Sequence, residues 1–115
     1  MRYKEIEKIA QRHDKTILAT DKRLQNFVYV EIDDGSFFKW LDSFAVEYDD
    51  WYIVFTEHYG FHIFGKSDIV NIVQADKKTN IWVMPTTSLI KPEDKVPFYK
   101  IDEEPLKASE LKGVL

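Results

Sequence analysis

Apolar positions at the start of the chain recur at helical spacing. Ile6, Ile9, Ala10 and His13 stand at i, i+3, i+4 and i+7, with Lys4, Glu5, Lys8 and Arg12 largely on the other side. This predicts a helix over 2–14. His13 closes the apolar stripe near the C-terminal end, where the helix dipole favours a structural imidazole. The β-branched residues of HDKTILAT then predict a short strand at 16–20.

Beyond residue 26 the period changes to two. In FVYVEID (27–33), Val28, Val30 and Ile32 point one way and Phe27, Tyr29, Glu31 and Asp33 the other. Asp34-Gly35 signals a two-residue hairpin turn. It would pair Asp33 with Ser36, Ile32 with Phe37, Val30 with Lys39 and Val28 with Leu41, and set Tyr29 facing Trp40. Residues 36–43 fit a strand and a short Ser36-capped helix about equally.

FAVEYDDWYIVF (44–55) reads as a second hairpin. A turn at Asp49-Asp50 pairs Tyr48 with Trp51, Val46 with Ile53 and Phe44 with Phe55. All six fall on one face, and Ala45, Glu47, Tyr52 and Val54 on the other. A one-residue slip would scramble that agreement.

WYIVFTEHYGFHIF (51–64) continues the meander and holds two of the three histidines. A loop at His58-Tyr59-Gly60 would pair Glu57 with Phe61, Phe55 with Ile63 and Ile53 with Gly65. Trp51, Phe55, Phe61 and Ile63 then share a core face. Thr56 and His62 lie opposite one another on an outer face, with Tyr52, Val54 and Phe64. GKSDIVNIVQA (65–75) is apolar at both parities, as in a central strand covered on both sides. A turn at 76–80 and a short strand at 81–84 follow. All four prolines lie in 85–115. They predict an extended arm anchored by Leu89, Val96, Phe98, Tyr99 and Ile101, closing in a short helix capped by Gly113.

The expected fold class is α+β. An N-terminal helix packs on a strongly bent antiparallel β-meander, SH3-like or a small barrel in general shape, with an extended C-terminal arm. Residues 1–84 form the core of a single domain and 85–115 the arm. The length of 115 residues suits one domain with its own core.

Composition narrows the chemistry. There is no cysteine, which removes disulfides, thiolate metal sites and a cysteine nucleophile. The charged N-terminus has no signal-like apolar stretch, and no run approaches the roughly 18–20 apolar residues of a membrane span. A cytoplasmic protein is expected. The net charge of −4 is unevenly placed. Residues 1–24 hold seven Lys/Arg against four Asp/Glu, residues 25–76 two against ten, and residues 77–115 seven against six. The acidic centre is either a solvated face or a surface that meets a basic partner.

Catalytic constellations are sparse. Glu57, His58 and His62 would share a helical face as in a metal-dependent hydrolase, but Gly60 and the β-branched neighbours favour a strand corner. Residues four apart on a strand lie about 13 Å apart, too far to converge on one ion. Thr56, His62 and Glu47 form a loose nucleophile–base–acid set without an oxyanion hole. Gly60-x4-Gly65-Lys66-Ser67 matches the written phosphate-loop pattern. Its bulky interior, Phe61 to Phe64, lacks the small residues such a cradle needs. No cofactor or metal is implied.

The function these observations favour is that of a non-enzymatic binding protein. Its acidic, aromatic-rich β surface would engage a protein partner with a basic surface, in the manner of an inhibitor or immunity protein. The expected contact residues are Tyr29, Glu31, Asp33, Asp34, Trp40, Glu47, Tyr52 and His62, with Phe27 and Phe38 as further candidate outward rings. Self-association as a homo-oligomer is the simpler version. The alternatives are the small hydrolase on His58, His62 and Glu57, and an accessory module of nucleic-acid machinery acting through the basic helix stripe. Carboxylates among the aromatics repel phosphate and weigh against nucleic acid.

Overall fold

The computed structural model describes residues 2–18, 22–76 and 98–101. Helix α1 spans Arg2–Ile17. It is followed by strands β1 (Asn26–Ile32), β2 (Phe37–Trp40), β3 (Ser43–Tyr48), β4 (Trp51–Thr56), β5 (Phe61–Gly65), β6 (Ile69–Asp76) and β7 (Tyr99–Lys100). Short 3₁₀ turns lie at Lys22–Gln25 and Lys66–Asp68. The strands form two sheets, ordered β2-β1-β6 and β5-β4-β3-β7. All pairings are antiparallel except that of β7 with β3. The α+β reading holds at this level. The described strands form no closed barrel, so SH3-like closure is not observed.

The helix outruns its predicted end. Thr16 and Ile17 are helical, and the Leu18 N–H still reaches the Asp14 carbonyl at 3.1 Å. The strand expected at 16–20 is therefore absent over its helical part, and residues 19–20 lie outside the described set. Ile17 is the reason. It continues the buried stripe of Ile6, Ile9, Ala10 and His13, so packing outweighs β-branched propensity.

That stripe packs on one face of the four-stranded sheet. Ile6, Ile9, Ala10, Ile17, Phe44, Val46, Ile53, Phe55 and Ile101 form one core, with Tyr48, Trp51, Phe61 and Ile63 against it. The other face meets the three-stranded sheet, where Val28 and Val30 pack on Ala45 and Val54. The face expected to point outward is thus an internal one around Ala45 and Val54. Only the packing of the second sheet decides this, because strand alternation defines faces without saying which are covered.

Register was legible to different degrees. The β3–β4 hairpin pairs Tyr48 with Trp51, Val46 with Ile53 and Phe44 with Phe55, as the pattern predicts. Asp49 adopts φ 53 in the turn. The β1–β2 hairpin differs by one residue: Glu31 faces Phe37, Val30 faces Phe38, Tyr29 faces Lys39 and Val28 faces Trp40. Its loop holds three residues, Asp33-Asp34-Gly35, and closes on the Ile32 N–H donating to the Ser36 carbonyl at 2.9 Å. Gly35 takes the left-handed conformation at φ 89 that ends such loops. Residues 37–40 are strand, and the helix alternative there is excluded.

The β4–β5 hairpin is displaced by two residues, which preserves every face. Phe55 pairs with Phe61, Ile53 with Ile63, and Val54 with His62. Thr56 sets this register. Its backbone N–H and its hydroxyl both donate to the Gly60 carbonyl at 2.7 Å, while the Tyr59 N–H donates to its Oγ1. The Glu57 N–H donates instead to the Asp42 carbonyl at 3.1 Å. Thr56 is therefore not opposite His62. Strand β6 pairs with β1 alone among the described residues, so β1 is the centre of that sheet.

Of the predicted arm, residues 98–101 are described. Tyr99 and Lys100 pair with Val46 and Glu47, and Ile101 enters the helix-side core. Phe98 tilts against Tyr52 at 5.4 Å between ring centres. The turn at 76–80 beyond Asp76, the strand at 81–84, the anchors Leu89 and Val96 and the terminal helix lie outside the described residues.

Candidate functional site

The three-residue β1–β2 loop has a direct consequence for the surface. By shifting β2 one place, it turns Phe38 and Trp40 toward β5, and Phe37 and Lys39 to the side of Tyr29. Across the seam between the sheets Trp40 stacks on His62 at 4.8 Å, and Phe38 lies 5.8 Å from Phe64. Phe38 and Trp40 themselves stack at 5.6 Å, nearly parallel. The four rings make an aromatic shelf. Phe38 keeps 39% of its surface exposed. The shelf continues into an open groove of about 540 Å³ along β5, whose far wall carries Tyr3 and Glu7 of α1.

His62 sits on this shelf. Burial lowers its pKa, so the ring is held neutral more readily than a free imidazole. Its Nε2 is buried without a hydrogen-bond partner. One carboxylate lines the groove itself, and a second lies at an end of β5. Glu7 is the one formally charged residue among the described lining. At one end of β5, the Asp68 carboxylate lies beside Gly65, and the Asp68 carbonyl accepts from the Asp33 N–H at 3.1 Å. Asp34 accepts from the Ser36 N–H at 2.7 Å, and hydrogen bonds from Ser36 lower its pKa. At the other end, the backbone N–H of Glu57 donates to the Asp42 carbonyl.

The expected contact residues divide into three groups. Trp40 and His62 meet on the shelf. Asp33 and Asp34 are exposed at the hairpin tip, with Glu31 half-buried on β1. Glu47 and Tyr52 lie together elsewhere: Lys66 Nζ donates to Glu47 at 3.1 Å and sits 5.1 Å from the Tyr52 ring centre. Burial and Glu47 raise the Tyr52 pKa, opposed by Lys66. Tyr29 departs from expectation. It is 1% exposed, buried with Phe27, Val73 and Ala75 on the second face of its sheet. Neither Tyr29 nor Phe27 offers a ring to a partner in this fold. Phe64 and Tyr3 were missed as shelf and wall. The signal for Phe64 was its parity with His62; for Tyr3 it was its place three residues before Ile6, along the apolar stripe of α1.

The other constellations do not assemble. His58 is exposed in the loop, 3.9 Å from Glu57, whereas His62 lies on the strand against Trp40. The Thr56 hydroxyl is engaged in closing its loop, and Glu47 is paired with Lys66. Gly60 and Gly65 bracket a strand rather than a loop, and Gly65 is extended at φ −70. A second groove, about 700 Å³, runs along α1 past Glu5, Lys8, Ile9, Gln11, Arg12, Lys15 and Tyr48. No helix among the described residues is long and apolar enough to cross a membrane. Comparison with protein-family models, with curated proteins and with solved structures returned no match.

Proposed function

We propose that this chain is a non-catalytic binding protein that engages a basic protein partner beside β5. The observation that carries the reading is the aromatic shelf of Phe38, Trp40, His62 and Phe64, partly open to solvent, with Glu7 in the wall of its groove and the Asp68 carboxylate beside Gly65. Rings of this kind supply affinity when a partner covers them. Carboxylates at Glu7, Asp33, Asp34, Asp68 and Glu57 steer a cationic surface toward them. An inhibitor or immunity role is one form such binding takes.

The test is capture of the partner from the native cell, repeated across a salt series and with Asp33→Lys/Asp34→Lys and Trp40→Ala chains. Binding weakens as salt rises, weakens on charge reversal and weakens most on loss of the ring. A partner held equally at low and high salt by all of these chains removes the reading.

A further inference from the structure

The groove beside β5 also presents backbone. In an antiparallel ladder, hydrogen-bonded pairs alternate with non-bonded ones. The Thr56 N–H bonds to Gly60, and the Lys66 N–H bonds to the Asp50 carbonyl at 2.8 Å. With the observed register, His62 and Phe64 therefore direct their N–H and C=O groups to β4. Phe61, Ile63 and Gly65 direct theirs away from it. No strand pairs with that side among the described residues. Such a row is a template for another strand.

The two walls suit alternate side chains of an added strand. Phe61 and Ile63 lie on the helix side, near Tyr3 and Glu7, and Tyr3 is 49% exposed. His62 and Phe64 lie on the shelf side. We propose that the outer edge of β5 binds an extended, cationic segment of a protein partner as an added β-strand, its backbone bonded to Phe61, Ile63 and Gly65. This deepens the binding reading above and rests on it.

Shape and charge choose this occupant over a second copy of the chain. Both α1 and β2 flank the edge, so two copies meeting edge to edge would bring their walls together before the strands reached the roughly 4.8 Å spacing of a sheet. A slender segment enters without that conflict. Its charge is set by Glu7 in the wall and by the Asp68 carboxylate beside Gly65. Of the two cations in residues 25–76, Lys66 is paired with Glu47 at 3.1 Å, and Lys39 lies at the parity of β2 opposite to the shelf. The added segment therefore carries Lys or Arg at one parity and apolar side chains at the other, the pattern of peptide recognition by strand addition.

The experiment titrates the ¹⁵N-labelled full chain with a synthetic octapeptide of alternating Val and Lys. Three control peptides replace Lys by Glu, or methylate the backbone nitrogens at one parity or at the other. The amides of Phe61, Ile63 and Gly65 shift on binding and become protected from exchange. Methylation at the pairing parity weakens binding about three- to tenfold, the effect of losing edge hydrogen bonds. Glu7→Lys lowers the preference for the Lys peptide over the Glu peptide. Ile63→Pro removes an outward donor that the β4 ladder does not use, and weakens binding similarly. Gly65→Pro is the variant best matched to the backbone, since φ −70 already suits proline, although its Cβ displaces the Asp68 carboxylate.

The proposal is overturned if millimolar peptide leaves the three amides unmoved, or if both methylated peptides bind as well as the parent. It is equally overturned if the shifts centre on Lys8, Arg12 and Lys15. Protection of the Phe61, Ile63 and Gly65 amides without peptide also overturns it, by showing a second copy when protection rises with concentration and a segment of the same chain when it does not. A native partner that stays salt-sensitive but ignores both proline variants removes strand addition while leaving the binding reading intact.

Discussion

The four-stranded sheet has one edge that its own chain seals and one that the described chain leaves open. Along β3, the outward N–H of Ala45 donates to the buried side-chain oxygen of Gln74, and the Glu47 carbonyl accepts from the Ile101 N–H. Strand β7 covers Val46 and Glu47, and Arg23 lies over Tyr99 and Phe44 at 4.0 and 4.6 Å. Along β5, Phe61, Ile63 and Gly65 turn equivalent backbone groups into a groove walled by rings. Two strands of one sheet, both aromatic, thus have opposite fates. An edge is closed when a buried polar side chain or another strand satisfies its backbone. An edge beside an open groove needs neither.

The contrast can be broken most severely from the sealed side. Phe44→Ala removes a fully buried ring stacked on Phe55 and touched by Tyr99. It lowers unfolding free energy by about 3–5 kcal/mol, read by urea denaturation. A loss below about 1 kcal/mol would mean that β3 is not sealed as described. Gln74→Leu keeps similar bulk but leaves the Ala45 N–H buried and unpaired. The expected loss is about 1–3 kcal/mol, with faster hydrogen exchange at Ala45. Phe38→Ala, on the open side, lowers stability by less than about 1 kcal/mol, because the ring is partly exposed. A larger loss there would make the shelf a core element.

The smallest effect is a pH slope at the open edge. The His62 pKa is lowered from 6.5 by burial. Well above pH 6.5 the ring is neutral in both folded and unfolded chains, and its full contribution is present. As pH falls below that value, the unfolded chain takes a proton that the folded chain resists, so stability declines until the folded pKa is passed. His62→Phe keeps a ring against Trp40 and flattens this decline. Denaturation of both proteins between pH 7.5 and 5.5 measures the difference. A parallel pair of profiles would show that His62 is not desolvated by the shelf.

Parts of this arrangement were legible in the residues. The β3–β4 hairpin followed from parity, because six large side chains fell on one face only if the turn held Asp49 and Asp50. A corner at 58–60 was expected from Gly60 and the surrounding β-branched residues; the chain does turn there, with the β4–β5 register two residues from the expected one. Tyr29 shows where alternation stops: it separated two faces of β1 correctly, yet both are buried. The β1–β2 slip shows the same from another side. Asp33-Asp34-Gly35 supports a two- or a three-residue loop, and the choice is made with the Asp33 N–H bonded to Asp68, thirty-five positions along the chain. That one-residue choice aims Phe38 and Trp40 at β5, and so creates the shelf.

The order of residues determined the helix stripe, the period-two strands, the absence of thiol chemistry and the acidic centre. Each depends on spacing or composition within a short window. The tertiary structure alone decided which sheet face was covered, which strand edge was sealed and which rings met across the seam. Those outcomes depend on contacts between residues far apart in sequence, such as the hydrogen bond from Asp33 to Asp68, which local propensity does not encode.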